Sequence, residues 1–243
     1  MYSSRSYILV SIFTAAALCA MPLGAYQPGR FSPLDDAVIR GGGGPKTLEA
    51  RDPSGKLIES ARFEYDDQGR LVREQYTGAD GKATGSTEYV RQGVRLREEI
   101  RRDAQNKVLY RTLFFHEGAL ISRMDVHDAA GALELRRTYT YQSNLLLGGE
   151  EIVGQNKDRF RTAYDQKGNL IALTFLQQDG KPYGEIAYRY DASGQLLERE
   201  RTQPARRELC RYEYAGGRIA RYSYFGRSGE QWVLQKTLVL RFD

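Results

Sequence analysis

The chain has 243 residues, 41% of them hydrophobic and 28% charged, with a formal net charge of +5. That length allows one large or two small domains, and that balance allows a real but thin core. The arginines lie scattered beside glutamates rather than clustered, which excludes the concentrated basic stripe of a nucleic-acid-binding protein and fits cross-strand ion pairs on a wetted face.

Residues 1–25 read as a secretory signal peptide. Arg5 supplies the positive charge, Tyr7 to Ala20 the apolar stretch, and Leu23-Gly24-Ala25 the small residues of a cleavage site. The apolar run, interrupted at Pro22, is short for a membrane span. Leu18 precedes Cys19 where a lipid-attachment signal wants a small residue, so lipidation is the minor reading. Cleavage leaves Cys210 alone, so the exported chain has no internal disulfide, and Cys210 is expected to be a small buried apolar residue.

Residues 26–45 carry Pro28, Pro33 and the run Gly41 to Gly44. They are expected to form a flexible Gly/Pro-rich tether, because glycine loses the most backbone entropy on ordering. Residues 46–243 are then a β-hairpin repeat domain. Turn signals recur every 12 or 13 residues, beginning with Asp52 to Gly55, Asp66 to Gly69 and Asp80-Gly81-Lys82, and ending with Asp191 to Gly194, Gly216-Gly217 and Gly226 to Gly229. They alternate in kind. One kind follows an aromatic residue (Tyr65, Tyr89, Phe115, Tyr141, Tyr164, Tyr190, Tyr214), and the other carries Asp-Gly-Lys or a relative of it. One repeat is thus about 25 residues, two strands and two turns. The expected fold is all-β, an antiparallel meander of about 15 short strands in period-25 repeats, forming a curled or extended sheet because twisted sheets of more than about ten strands rarely stay open and flat.

Alternation assigns faces. Ile186, Tyr188 and Tyr190 oppose Glu185 and Arg189; Cys210, Tyr212 and Tyr214 oppose Leu209, Arg211 and Glu213; Ala220, Tyr222 and Tyr224 oppose Ile219, Arg221 and Ser223. On the last strand, Trp232, Leu234, Leu238, Leu240 and Phe242 are expected on one side. The ladder of Tyr188, Tyr190, Tyr212, Tyr214, Tyr222 and Tyr224 is the one candidate ligand face, since tyrosines flanked by arginines bind sugars or extended peptides by stacking and hydrogen bonding. The competing reading makes it the covered face of the sheet.

The phrase Tyr-Asp-x-x-Gly-x-Leu, at Tyr65, Tyr164 and Tyr190, resembles the tyrosine–aspartate (YD, Rhs-type) repeats of bacterial surface and secreted proteins. Asp179 to Gly184 followed by Tyr190 to Leu196 is similar to the MORN-related repeats of bacterial β-meander proteins. The resemblance covers about residues 46–243 and implies extended sheets built of hairpins, which in long YD-repeat proteins enclose or display other domains.

No residue set reads as catalytic, cofactor-binding or metal-binding. His116 and His127, the only histidines, fall at opposite ends of one hairpin and are expected to be exposed turn residues. The turn aspartates offer one or two acidic groups each, where calcium takes six to eight oxygens. Carboxylates such as Glu98 and Glu99, Glu150 and Glu151, and Glu198 and Glu200 read as ladder charge. The sequence therefore points to an exported, non-enzymatic β-repeat binding or scaffold protein of the periplasm or cell surface, needing no cofactor. Its expected partners are an envelope protein or glycan, not nucleic acid, with its edge strands open to self-association. The alternatives are a glycan-acting envelope enzyme on a β scaffold and an outer-membrane β-barrel. The first requires two carboxylates converging in a pocket; the second requires a charge-free outer band.

Overall fold

Strands alternate with turns whose chemistry sets where each strand stops. In the computed structural model, which describes residues 44–204 and 206–242 (Arg206 by its backbone only), an aspartate opens the turns at Asp52, Asp66, Asp103, Asp128, Asp165 and Asp191. Asp191 is representative. Its N–H donates to the Gln195 carbonyl at 2.9 Å, and the Gly194 N–H returns to the Asp191 carbonyl at 3.1 Å. Its Oδ1 accepts from the Gln195 N–H at 2.9 Å and the Ser193 hydroxyl at 2.7 Å. Gly194 closes the turn at φ 87°, where a side chain would be strained. Asp52, Asp66 and Asp165 organise their turns in the same way. The turn after Gln142 instead uses Ser143 and Asn144, both at positive φ, the two-residue turn whose twist suits a hairpin.

Sixteen strands result among the described residues: β1 (Thr47–Arg51), β2 (Leu57–Tyr65), β3 (Leu71–Gly78), β4 (Ala83–Gln92), β5 (Arg95–Asp103), β6 (Val108–Glu117), β7 (Leu120–Asp128), β8 (Leu133–Gln142), β9 (Leu145–Val153), β10 (Asn156–Tyr164), β11 (Leu170–Leu176), β12 (Pro182–Tyr190), β13 (Leu196–Gln203), β14 (Arg206–Ala215), β15 (Arg218–Ser228) and β16 (Gln231–Arg241). Each pairs antiparallel with its neighbours in sequence, as the repeat predicts. The expectation of a curled or extended sheet is corrected, however: β1 pairs with β16, from Thr47↔Arg241 to Arg51↔Thr237, and the meander closes into a barrel. Both edges are thereby consumed, which removes the unpaired N–H and C=O rows that an open sheet of this width would expose.

Register carries one face around the whole wall. Ala50 faces Glu59, Ala61 faces Tyr76, Glu74 faces Thr87, Phe160 faces Phe175, Tyr212 faces Tyr222, and Leu238 returns to Ala50. These residues are inside. Leu48, Leu146, Leu173 and Leu238 are fully buried, and the buried cluster runs from β1 to β16. A round sixteen-stranded barrel leaves an aqueous channel. Here the inner side chains pack into one buried cluster, and the void beneath β8 to β12 holds only about 10 Å³, the space of about one water.

Bulges revise two face assignments. Between Glu213 and Tyr214 the register skips Ala220, which turns Ile219 inward to 5% exposure. Between Tyr224 and Phe225 it skips Gln235, so Leu234 pairs with Phe225 on the opposite face from Leu238 and Leu240. The expected signal peptide and all but the last two residues of the expected tether lie outside the described residues. Those two are part of the body: Pro45 is fully buried, and its carbonyl accepts the Tyr65 hydroxyl at 2.7 Å.

Candidate functional site

The tyrosine ladder lies inside the barrel. Tyr188, Tyr212 and Tyr222 are 7%, 8% and 3% exposed, while Tyr190, Tyr214 and Tyr224 are half-buried against the same core. Tyr212 and Tyr222 stack at 5.8 Å between ring centroids, and Tyr224 meets Tyr222 edge-on. Cys210 sits beside them, 3% exposed. In this state the ladder presents no open platform to a sugar or peptide.

What the repeat places at a barrel end is a ring of hydrogen bonds. Each hairpin has its tight turn at one end and an open mouth at the other, where the backbone ladder stops short. β11 and β12, for example, pair only as far as Ala172↔Ala187. A side chain on the second strand then reaches the first residues of the first strand. Tyr190 donates to the Leu170 carbonyl at 2.9 Å, Tyr214 to Leu196 at 3.0 Å, Tyr164 to Leu146 at 2.8 Å and Tyr141 to Ile121 at 3.0 Å. Tyr65 does the same to Pro45, and the Arg91 guanidinium replaces a tyrosine, reaching the Leu71 carbonyl at 3.5 Å. Register shows that the equivalent positions in β4 and β6 are Arg91 and His116, because these pair with Leu96 and Ile121 as Tyr190 pairs with Leu196. The sequence beat through Tyr89 and Phe115 lands one or two residues early.

The inner face also carries charge that alternation alone does not reveal. Glu74 is fully buried and accepts from the hydroxyls of Tyr76 and, at 2.6 Å, Tyr89. Arg101 lies 3.8 Å over the Tyr76 ring and donates to the Thr87 hydroxyl at 3.2 Å. Burial first, then the Glu74 charge, pushes both tyrosine hydroxyls well above the usual phenol range. Farther round, Glu151 faces Asp158 directly across β9 and β10. Arg137 pairs with Glu151, and the Tyr183 hydroxyl donates to Asp158 at 3.0 Å. Here two carboxylates converge, as a glycan hydrolase needs, and the adjoining void of about 10 Å³ has no room for a sugar ring. A sequence cannot separate such glutamates from ladder charge; only their partners Tyr76, Tyr89 and Tyr183 set them apart.

The outer face is charged at mid-height on strand after strand. Arg136 grips Asp125 with two bonds of 2.8 Å, Arg111 pairs with Glu98 at 2.7 Å, and Glu198 takes both Arg189 at 2.6 Å and Arg211 at 2.9 Å. A shallow groove of about 680 Å³ opens where the barrel closes, bordered by Lys46, Arg62, Tyr65, Asp67, Arg218 and Phe242. Among the described residues no group of acidic, histidine or cysteine side chains is placed to hold a metal ion. His116 and His127 are half-buried at opposite ends of the barrel, correcting the expectation that both are exposed.

A family model described as "Uncharacterised protein" matches residues 125–232, which is fewer than half of the chain. No curated protein matches the sequence. The fold is similar to a porin-like protein from Bacteroides uniformis, at 12% identity and a TM-score of 0.38 over 82% of this chain and 98% of that one. It is also similar to a porin-like protein from Bacteroides vulgatus, at 11% identity and a TM-score of 0.31 over 82% and 98%. The structure titled TcdB2-TccC3-TEV matches at 13% identity and a TM-score of 0.28, over 79% of this chain and 15% of that one. These likenesses are too distant to carry a function across.

Proposed function

We propose that the chain is an exported, non-enzymatic barrel of the bacterial cell envelope that stands in water and serves as a scaffold or binding body. The observation that supports this reading is the direction of its two faces. Arg62, Glu88, Arg111, Arg136, Arg161 and Glu185 point outward near the middle of their strands, while Leu48, Phe63, Phe160, Leu173 and Tyr222 point in. Each arginine or lysine at a bilayer midplane costs about 2–4 kcal/mol, so such a wall is unsuited to lipid. The leader-like segment at Arg5 to Ala25 supports export.

The second reading, an outer-membrane barrel, is favoured by closure itself and by strand length. β4, β6 and β8 have 10 residues each and β15 and β16 have 11, within the roughly 9–11 that a membrane strand needs. Cell fractionation separates the two. The water-facing reading expects the chain in the soluble fraction released by osmotic shock, folded without detergent. Recovery only from membranes with detergent, as a heat-modifiable band, favours the lipid-facing barrel.

A further inference from the structure

The groove beside the seam gathers cations from three parts of the chain. It has a volume of about 680 Å³, within the range of ligand sites, and opens between the β2–β3 turn and Phe242. Lys46 lines it from just before β1, Arg62 from β2 and Arg218 from the start of β15. All three are exposed, and none of their side chains makes an ion pair or hydrogen bond among the described residues.

The acids that line the same groove are mostly engaged. Asp66 is held by Arg70 at 2.7 Å, and Glu64 stands directly across from Arg73 and accepts from the Gln75 side-chain amide at 2.7 Å. Asp67 remains, exposed on the turn, so three cations face one uncommitted acid. The floor offers no strand edge. Thr47–Arg51 pairs with β2 on one side and β16 on the other. Just above it the Lys46 N–H donates to the Arg241 carbonyl at 2.7 Å, and the Lys46 carbonyl accepts from the Phe63 N–H at 2.9 Å. An extended peptide, whose usual hold on a sheet is such an edge, finds nothing to pair with. Recognition falls to the side chains and to the Phe242 ring, with the Arg218 guanidinium 5.1 Å from its centroid.

We propose that the seam groove binds an acidic oligosaccharide, whose carboxylates meet Lys46, Arg62 and Arg218 and one of whose rings packs against Phe242. Guanidinium forks match carboxylates two bonds at a time, and cations spread over β1, β2 and β15 suit a ligand whose charges are spaced along its length. The inference gives the binding reading above a ligand class and rests on it.

Titration calorimetry of the full chain with hexagalacturonate, at ionic strength held constant with chloride, should show one saturable site. Maltohexaose, with as many rings and no charge, should show none. The triple variant Lys46→Gln/Arg62→Gln/Arg218→Gln should bind hexagalacturonate about tenfold more weakly or worse and keep the parent melting temperature, since it breaks no ion pair. A control triple, Lys157→Gln/Arg159→Gln/Arg161→Gln, removes as much charge from β10, far round the wall, and should bind like the parent. The proposal is overturned if hexagalacturonate does not bind, if maltohexaose binds as well, or if the seam triple binds like the parent. It is overturned equally if the control triple loses as much as the seam triple, or if hexaglutamate binds as tightly, which would make the groove a site for acidic peptide. None of these outcomes alters where the chain fractionates, so the ligand class and the water-facing reading fail separately.

Discussion

The Tyr190 hydroxyl donates to the Leu170 carbonyl at 2.9 Å, joining the last residue of β12 to the first of β11. The bond sits where the backbone ladder of that hairpin has already ended. It satisfies a carbonyl that splaying would otherwise leave to water or to nothing. Its recurrence at Tyr65, Tyr141, Tyr164 and Tyr214 explains why the repeat needs tyrosine rather than phenylalanine before the turn.

Tyr190→Phe keeps the ring and removes that bond. It should destabilise the barrel by about 1 kcal/mol, the net value of a typical hydrogen bond, without changing the far-ultraviolet spectrum. Chemical denaturation of the two proteins checks this. No difference between them would show the ring of bonds to be energetically idle.

The repeat, the turn chemistry and the two faces were legible because a turn such as Asp165 to Gly168 can do little else, and because Tyr188 and Arg189 alternate without ambiguity. Closure was not legible. It rests on Leu48↔Leu240 and Ala50↔Leu238, residues almost two hundred positions apart whose pairing leaves no local trace. The buried charges were hidden for a related reason. Glu74 and Glu88 look alike in sequence, and only the register with Phe63 and Thr87 puts the first inside. The bulges that skip Ala220 and Gln235 are equally silent, so period-two counting fails one residue beyond them.

Acid should loosen the barrel through its turns. The carboxyls of Asp66, Asp165 and Asp191 are held below the usual range, first by the Arg70 backbone N–H, the Asn169 side-chain amide and the Ser193 hydroxyl respectively. A depressed folded pKa contributes stability that is present above the unfolded value of about 3.9 and is lost as pH falls through the folded one. Melting temperature should therefore be flat above about pH 5 and fall below about pH 4. The triple variant with asparagine at these positions should melt lower at neutral pH and show a shallower acid limb. An identical acid limb in both would remove the turns from the account.

Alkali should act on the interior. Tyr76 and Tyr89 have hydroxyls raised by burial and by Glu74, and Tyr141 and Tyr164 have theirs raised chiefly by burial. The unfolded phenol ionises near pH 10 and the folded one higher, so stability is complete below about pH 10 and is lost as pH rises beyond it. Tyrosinate absorbance should appear in step with loss of β dichroism. Smooth ionisation of all tyrosines around pH 10 with the fold intact would show that they face solvent.

Inner and outer carboxyls should differ sharply in worth. Glu74→Ala strips the acceptor from two buried tyrosine hydroxyls and should cost about 3 kcal/mol. Glu198→Gln weakens two surface pairs with exposed arginines and should cost less than about 1 kcal/mol. Urea unfolding of both variants tests the ranking, and the reverse order would mean that the faces have been assigned the wrong way round.

The account stands on closure, and one cross-link tests it most directly. Glu49 of β1 and Val239 of β16 are paired across the seam. With both placed as cysteines in a chain whose Cys19 and Cys210 are replaced by serine, mild oxidation should give a disulfide within a single chain, in detergent-free buffer and at monomer mass. Free thiols after oxidation, or disulfide-linked dimers alone, would mean that β1 and β16 are open edges and that the molecule is a sheet.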